Sequence, residues 1–233
     1  MNEQWFSKES FVFLEELKAN NSKKWYMDNK GDYEQFILEP IKDFVYCLSS
    51  TMLNIDNEIE VRPQIGKTIS RIFRDTRFSN DKSLFKDRMW VTFKRYGTSN
   101  SDFPAFFFEL TPYSFRYGMG FFSASPKSMS SLRDLIDKKE ALFLEIANKI
   151  KNDDIFTLEG KMYKKNYYQG SNEELAAWYN RKNIYLVYNS NVITELFERG
   201  KIEQIKEEFK TLEDIYNFFI LAISGNRTEI FKV

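Results

Sequence analysis

Two runs of alternating bulky residues flank Thr111-Pro112, and no other stretch restricts the fold as tightly. In the first run Phe106, Phe108 and Leu110 share one side of an extended chain; in the second, Phe115, Tyr117, Met119 and Phe121 do. A side-chain period of two marks a strand, and a turn of even length between the runs brings the two bulky faces together as cross-strand pairs. The opposite face then sets Glu109 near Arg116. The pattern predicts a hairpin. With 23 Phe and 17% aromatic residues among 233, the chain can bury a sizeable core, which argues against disorder.

Around this hairpin, β-branched and aromatic runs predict further strands at 69–75, 89–96 and 184–188. Helical spacing predicts helices at 8–20, through Trp25 and Tyr26, and at 33–53, where Phe36, Ile37, Ile41, Phe44, Val45 and Leu48 form one stripe. Pro40 interrupts that last helix and is expected to divide or kink it. Ser125-Pro126 supplies a cap and a first-turn proline for a helix to about residue 152. A helix near 173–180 and two terminal amphipathic helices follow, and the charged run 195–210 reads as a solvated helix face. No repeat or Pro/Gly linker divides the chain. The expected architecture is one α+β domain over residues 1–233, with a mostly antiparallel sheet in mid-chain packed by N-terminal and C-terminal helices.

Composition excludes whole classes of chemistry. Histidine is absent, so no imidazole acid/base, His-ligated zinc or Ser-His-Asp arrangement can be built from this chain. The single cysteine, Cys47, excludes an intrachain disulfide and any multi-thiolate site, and its neighbours read as a buried helix position. Neither a signal-like start nor an apolar run of membrane-spanning length is found, so the expected setting is soluble, reducing and cytoplasmic, with no membrane partner.

Net charge is zero, with 34 basic and 34 acidic residues, yet the charges are unevenly placed. Between residues 62 and 95 stand ten basic residues (Arg62, Lys67, Arg71, Arg74, Arg77, Lys82, Lys86, Arg88, Lys94, Arg95) against Asp75, Asp81 and Asp87, a local charge of +7. Within this segment, Arg71-Ile72-Phe73-Arg74-Asp75-Thr76-Arg77 puts charges on the strand side where Ile69 and Phe73 call for apolar neighbours. Desolvating an ion costs several kcal/mol unless it is paired, so these arginines need partners, from the protein or from a ligand. One reading is a structural loop with Arg74–Asp75 and Arg77–Asp81 ion pairs. The other is an anion pocket, since guanidinium forks match phosphate and carboxylate oxygens. Further on, Tyr117-Gly118-Met119-Gly120 precedes a helix start, where glycines can admit a phosphate; strand glycines also mark close backbone approach.

Several motifs resemble the family called domain of unknown function 2461. They are Phe13-Leu14 with Leu17-Lys18-Ala19-Asn20-Asn21 and Trp25; Tyr33 with Glu39-Pro40; and the central run from Arg71 through Asp81-Lys82-Ser83 to Phe85 and Lys86. Gly120 and Arg133 match its later glycine and arginine. Leu84 stands where the family usually has proline, and Met162-Tyr163-Lys164-Lys165 matches loosely. The resemblance covers nearly the whole chain and implies no activity or cofactor.

The functional expectation is therefore an anion pocket for a phosphorylated or carboxylated small molecule. Arg71, Arg74, Asp75, Arg77, Asp81, Lys82 and Lys86 would form it, with Asn20, Asn21, Trp25, Gly120 and Arg133 supporting. Two alternatives stand beside it. One is a metal-dependent phosphoester hydrolase using Asp75 or Asp81; the other is a nucleic-acid or protein interaction module using the basic 62–95 segment.

Overall fold

The structure, a computed structural model, describes residues 5–77, 80–98 and 103–224. Phe78 and Ser79 of the central run thus lie outside the described residues. The architecture is α+β. Helices α1 (Lys8–Ala19), α2 (Lys23–Asp28), α3 (Lys30–Tyr33) and α4 (Glu39–Ile55) precede strands β1 (Met89–Phe93), β2 (Ala105–Leu110) and β3 (Phe115–Gly120). Then follow α5 (Pro126–Lys138), α6 (Glu140–Asp153), β4 (Thr157–Glu159), α7 (Glu173–Tyr179), β5 (Tyr185–Ser190), α8 (Arg199–Thr211) and α9 (Glu213–Ser224). The five strands form one antiparallel sheet in the order β1-β2-β3-β5-β4, with β4 paired to β5 through Leu158 opposite Leu186.

Compactness divides the chain into two units. One comprises Met1–Phe93, Phe107–Tyr117 and Asn189–Glu207; the other comprises Lys94–Phe106, Gly118–Tyr188 and Glu208–Val233. In the first, Phe108 packs on Phe44 and Phe6, with ring centroids 4.4 and 5.7 Å away. In the second, Phe143 on α6 meets Trp178 and Phe218 at 5.4 and 5.2 Å, and α5 and α6 both pack on α9.

The hairpin is present. Thr111 and Ser114 close a four-residue connection, the Thr111 N–H donating to the Ser114 carbonyl at 2.9 Å. Phe108 stacks toward Phe115 at 6.4 Å, and on the other face Arg116 donates to Glu109. Glu109 is only 2% exposed and also holds Arg88, at 3.3 Å, so this carboxylate is enclosed by two guanidinium groups. The Arg116 guanidinium in turn lies 5.2 Å from the Trp90 ring.

Three elements differ from the pattern-based reading, whereas the 33–53 run is divided as expected, with Pro40 in the first turn of α4. A π-helical turn, Glu34–Leu38, precedes it, and the Glu39 N–H reaches back to Glu34. The wider turn accommodates a ring that offers no N–H and would crowd a regular α-turn. The predicted 125–152 helix breaks at Lys139, which leaves helical geometry at φ −132°, ψ 42° and so lets each half turn its own stripe toward the core. The predicted strand 69–75 forms only isolated bridges, Ile69 to Val91 and Phe73 to Phe85, because its charges and the 56% exposed Phe73 spoil a regular alternation. Finally, the 195–210 run is not wholly solvated: Lys201 is 6% exposed, pairs with Glu195 at 2.9 Å and sits 5.8 Å over the rings of Phe115 and Tyr117. Its alkyl stem packs with apolar neighbours while the ammonium keeps a carboxylate.

Candidate functional site

The basic loop is held as an irregular antiparallel ladder. Arg74 N–H donates to the Leu84 carbonyl at 2.9 Å, Lys86 N–H to Ile72 at 2.8 Å, and Ser70 N–H to Trp90 at 2.9 Å. Its far side is pinned by the N-terminal helices. The Asn21 side chain donates to the Phe85 carbonyl and accepts from the Phe85 N–H, both at 3.0 Å, as a neighbouring strand would. Tyr26 on α2 stacks on Phe85 at 4.6 Å and meets Phe73 edge-on at 5.6 Å. Sequence reading singled out Trp25 and missed Tyr26. The signal was present, since the buried face of this single helical turn carries Tyr26, while Trp25 is half-buried and packs on Phe13 at 5.6 Å.

Inside this frame the charges sort themselves differently from their sequence order. Arg74, partly buried, pairs with Asp81 at 3.0 Å, and the exposed Arg77 pairs with Asp75 at 2.7 Å. Both aspartates also make turns: Asp75 accepts from the Arg77 N–H and Asp81 from the Ser83 N–H. The Arg77 side chain holds the Asp75 carboxyl down at about 2, well below the usual carboxylate range. Lys82 closes the tip by donating to the Thr76 carbonyl at 2.8 Å.

Three cations converge behind this tip. The Lys86 ammonium donates to the Arg71 carbonyl at 2.9 Å, and its pKa is pushed down by burial first and then by the Arg74 and Arg71 charges. Among the described residues neither Arg71 nor Lys86 has a carboxylate partner, and the buried Nε of Arg74 has no acceptor. Positive charge is concentrated here, and among the described residues Asp81 alone pairs with it. Such a group can take the oxygens of a phosphate or carboxylate, which supply what one carboxylate does not.

The supporting residues fall in three places. Asn20 caps its own helix through Glu16 at 3.0 Å, while Asn21 positions the loop. Gly120 and Arg133 belong to the second unit. A Cβ on Gly120 would run into the backbone carbonyl of Ile184, so the glycine allows β3 and β5 to approach. Arg133 stands on α5 among tyrosine rings, 4.8 Å from Tyr167. As for metal chemistry, Asp75 and Asp81 are held by Arg77 and Arg74, and Asp87 by Arg88 at 3.2 Å and Lys18 at 3.8 Å. Among the described residues no group of three His, Cys, Asp or Glu side chains is placed to hold a metal ion.

Cys47 is half-buried rather than buried. Burial raises its pKa, and its thiol lies 3.6 Å from Glu203, so it is kept protonated and weakly nucleophilic. Among the described residues no helix is long and apolar enough to cross a membrane.

Fold and loop together define an α+β protein built around a pinned, arginine-rich β-ladder. The chain belongs to the family described as conserved hypothetical protein (DUF2461), which matches residues 9–218. No curated protein matches the chain.

Proposed function

We propose that the protein binds a small phosphorylated or carboxylated molecule at Arg71, Arg74 and Lys86. One observation carries this reading: a partly buried lysine, bonded to the Arg71 carbonyl, lies in electrostatic range of the Arg71 and Arg74 guanidinium groups while, among the described residues, Asp81 is the one carboxylate paired with the cluster. Like charges gathered at one point raise the free energy of the empty site, and an anion removes that cost on binding. Asn21 and Tyr26 act as the frame that keeps the ladder in register. The single cysteine fits a reducing compartment, which supports a cytoplasmic setting.

Calorimetric titration with inorganic phosphate, pyrophosphate and citrate tests the reading. Arg74→Ala and Lys86→Met are expected to weaken binding of the best of these by about tenfold or more each, the loss of a charge-assisted hydrogen bond, with circular dichroism unchanged. Unfolding of both variants would make the cluster a structural network and overturn the proposal, as would the absence of binding by all three anions.

A further inference from the structure

In the second unit, Arg133 is surrounded by rings rather than by acids. Its guanidinium carbon lies 4.8 Å from the Tyr167 centroid, 5.7 Å from Tyr163 and 5.9 Å from Tyr179. Its Nη1 is buried with no acceptor, and no carboxylate pairs with it among the described residues. Asp137, one turn along α5, is taken by the Tyr179 hydroxyl at 2.9 Å. Two more cations share the same rings, Lys182 over Tyr163 and Lys165 over Tyr167, each at 5.6 Å. A ring face attracts a cation but does not neutralise it, and among the described residues Arg133, Lys165 and Lys182 stand beside tyrosine faces without a direct carboxylate pair.

This arrangement is rigidly built. The buried Asn180 accepts from the Tyr167 and Tyr168 N–H groups through its side chain, at 2.7 and 3.2 Å, and from Tyr163 through its backbone carbonyl at 2.8 Å. One asparagine thereby sets three tyrosines. The segment carrying them runs Lys161-Met162-Tyr163-Lys164-Lys165-Asn166-Tyr167-Tyr168, with three lysines and no acid, and its lysines are exposed. Tyr167 itself is 39% exposed.

We infer that this face binds single-stranded nucleic acid, independently of the anion site in the first unit. Two exposed lysines with a half-buried arginine among the same rings suit successive phosphates better than one small anion. An exposed tyrosine suits an unpaired base, whose π face a duplex does not offer. Arg133 and Lys182 meet phosphate oxygens, Lys165 flanks them, and Tyr167 takes a base.

Fluorescence anisotropy of the full chain with a short labelled oligouridylate tests this. The expected result is binding that weakens as salt rises. Tyr167→Leu is expected to lower affinity roughly tenfold, the loss of one stacked base, while Tyr167→Phe retains it. The Lys165→Gln, Lys182→Gln double variant is expected to flatten the salt dependence by a slope of about 1.4, two phosphate contacts fewer. The inference is overturned if no binding occurs at low salt, or if a duplex of equal length binds as tightly. It is equally overturned if free uridine monophosphate competes as well as the strand, or if folded Tyr167→Leu binds like the parent chain.

Discussion

Asn21 holds Phe85 by both of its backbone groups, donating to the carbonyl and accepting from the N–H across 64 positions of sequence. This contact ties the N-terminal helices to the basic loop. It satisfies the backbone edge of Phe85 that faces away from the bridge to Phe73, and it fixes the stretch from which Lys86 reaches the Arg71 carbonyl.

Asn21→Ala removes two hydrogen bonds, leaving the Phe85 N–H without a partner among the described residues and its carbonyl with only the Ser83 hydroxyl at 3.4 Å. The expected cost is about 2 kcal/mol, with faster hydrogen exchange at the Phe85 amide than at core strand amides. Asn21→Ala with parental stability and parental exchange at Phe85 would show that the contact is dispensable.

Lys86 makes the loop sensitive to pH. Its folded pKa is depressed, by burial and then by Arg74 and Arg71, so the unfolded chain holds the proton more tightly than the folded chain does. Stability therefore rises with pH between the folded value and the ordinary lysine value near 10.5, and Lys86→Met is expected to abolish that rise. An anion bound at the site restores the ammonium's preference, so binding in that window takes up protons. Calorimetry in buffers of different ionisation enthalpy measures the uptake; none in the parent chain would count against the assignment.

Tyr33 carries a buried hydroxyl without a hydrogen-bond partner among the described residues, and burial raises its pKa. Desolvation of that group is uncompensated, whereas the ring packs on Tyr26 at 5.7 Å and on Phe13 at 6.0 Å. Tyr33→Phe is thus expected to stabilise the protein by about 1 kcal/mol in chemical denaturation. A loss of stability instead would mean that the hydroxyl has a partner in solution.

Gly120 tests the close approach of two strands. Any side chain there meets the Ile184 carbonyl, and backbone in the middle of a sheet cannot move aside cheaply. Gly120→Ala is expected to cost about 3 kcal/mol or more, read as a lowered unfolding midpoint. A near-neutral result would show that β3 and β5 separate readily.

Periodicity alone determined much of the fold, because side chains at a period of two or 3.6 must share a face wherever the chain goes. The hairpin of Phe108 and Phe115, the Glu109–Arg116 contact on its reverse side and the stripe from Ile37 to Leu48 were all legible that way. Charge density marked the 62–95 segment for the same reason, since composition needs no geometry. Partner choice was decided only by the tertiary structure. Sequence order suggested Arg74–Asp75 and Arg77–Asp81, whereas the folded loop crosses them, because the bridge between Phe73 and Phe85 turns Arg74 toward Asp81. The Arg133 tyrosine cage was likewise hidden, its rings coming from positions 163 and 167, which a buried asparagine holds, and from Tyr179 on α7. Ion pairs and aromatic contacts depend on distances of a few ångströms, and those are set by which backbones lie side by side rather than by which residues are neighbours in the chain.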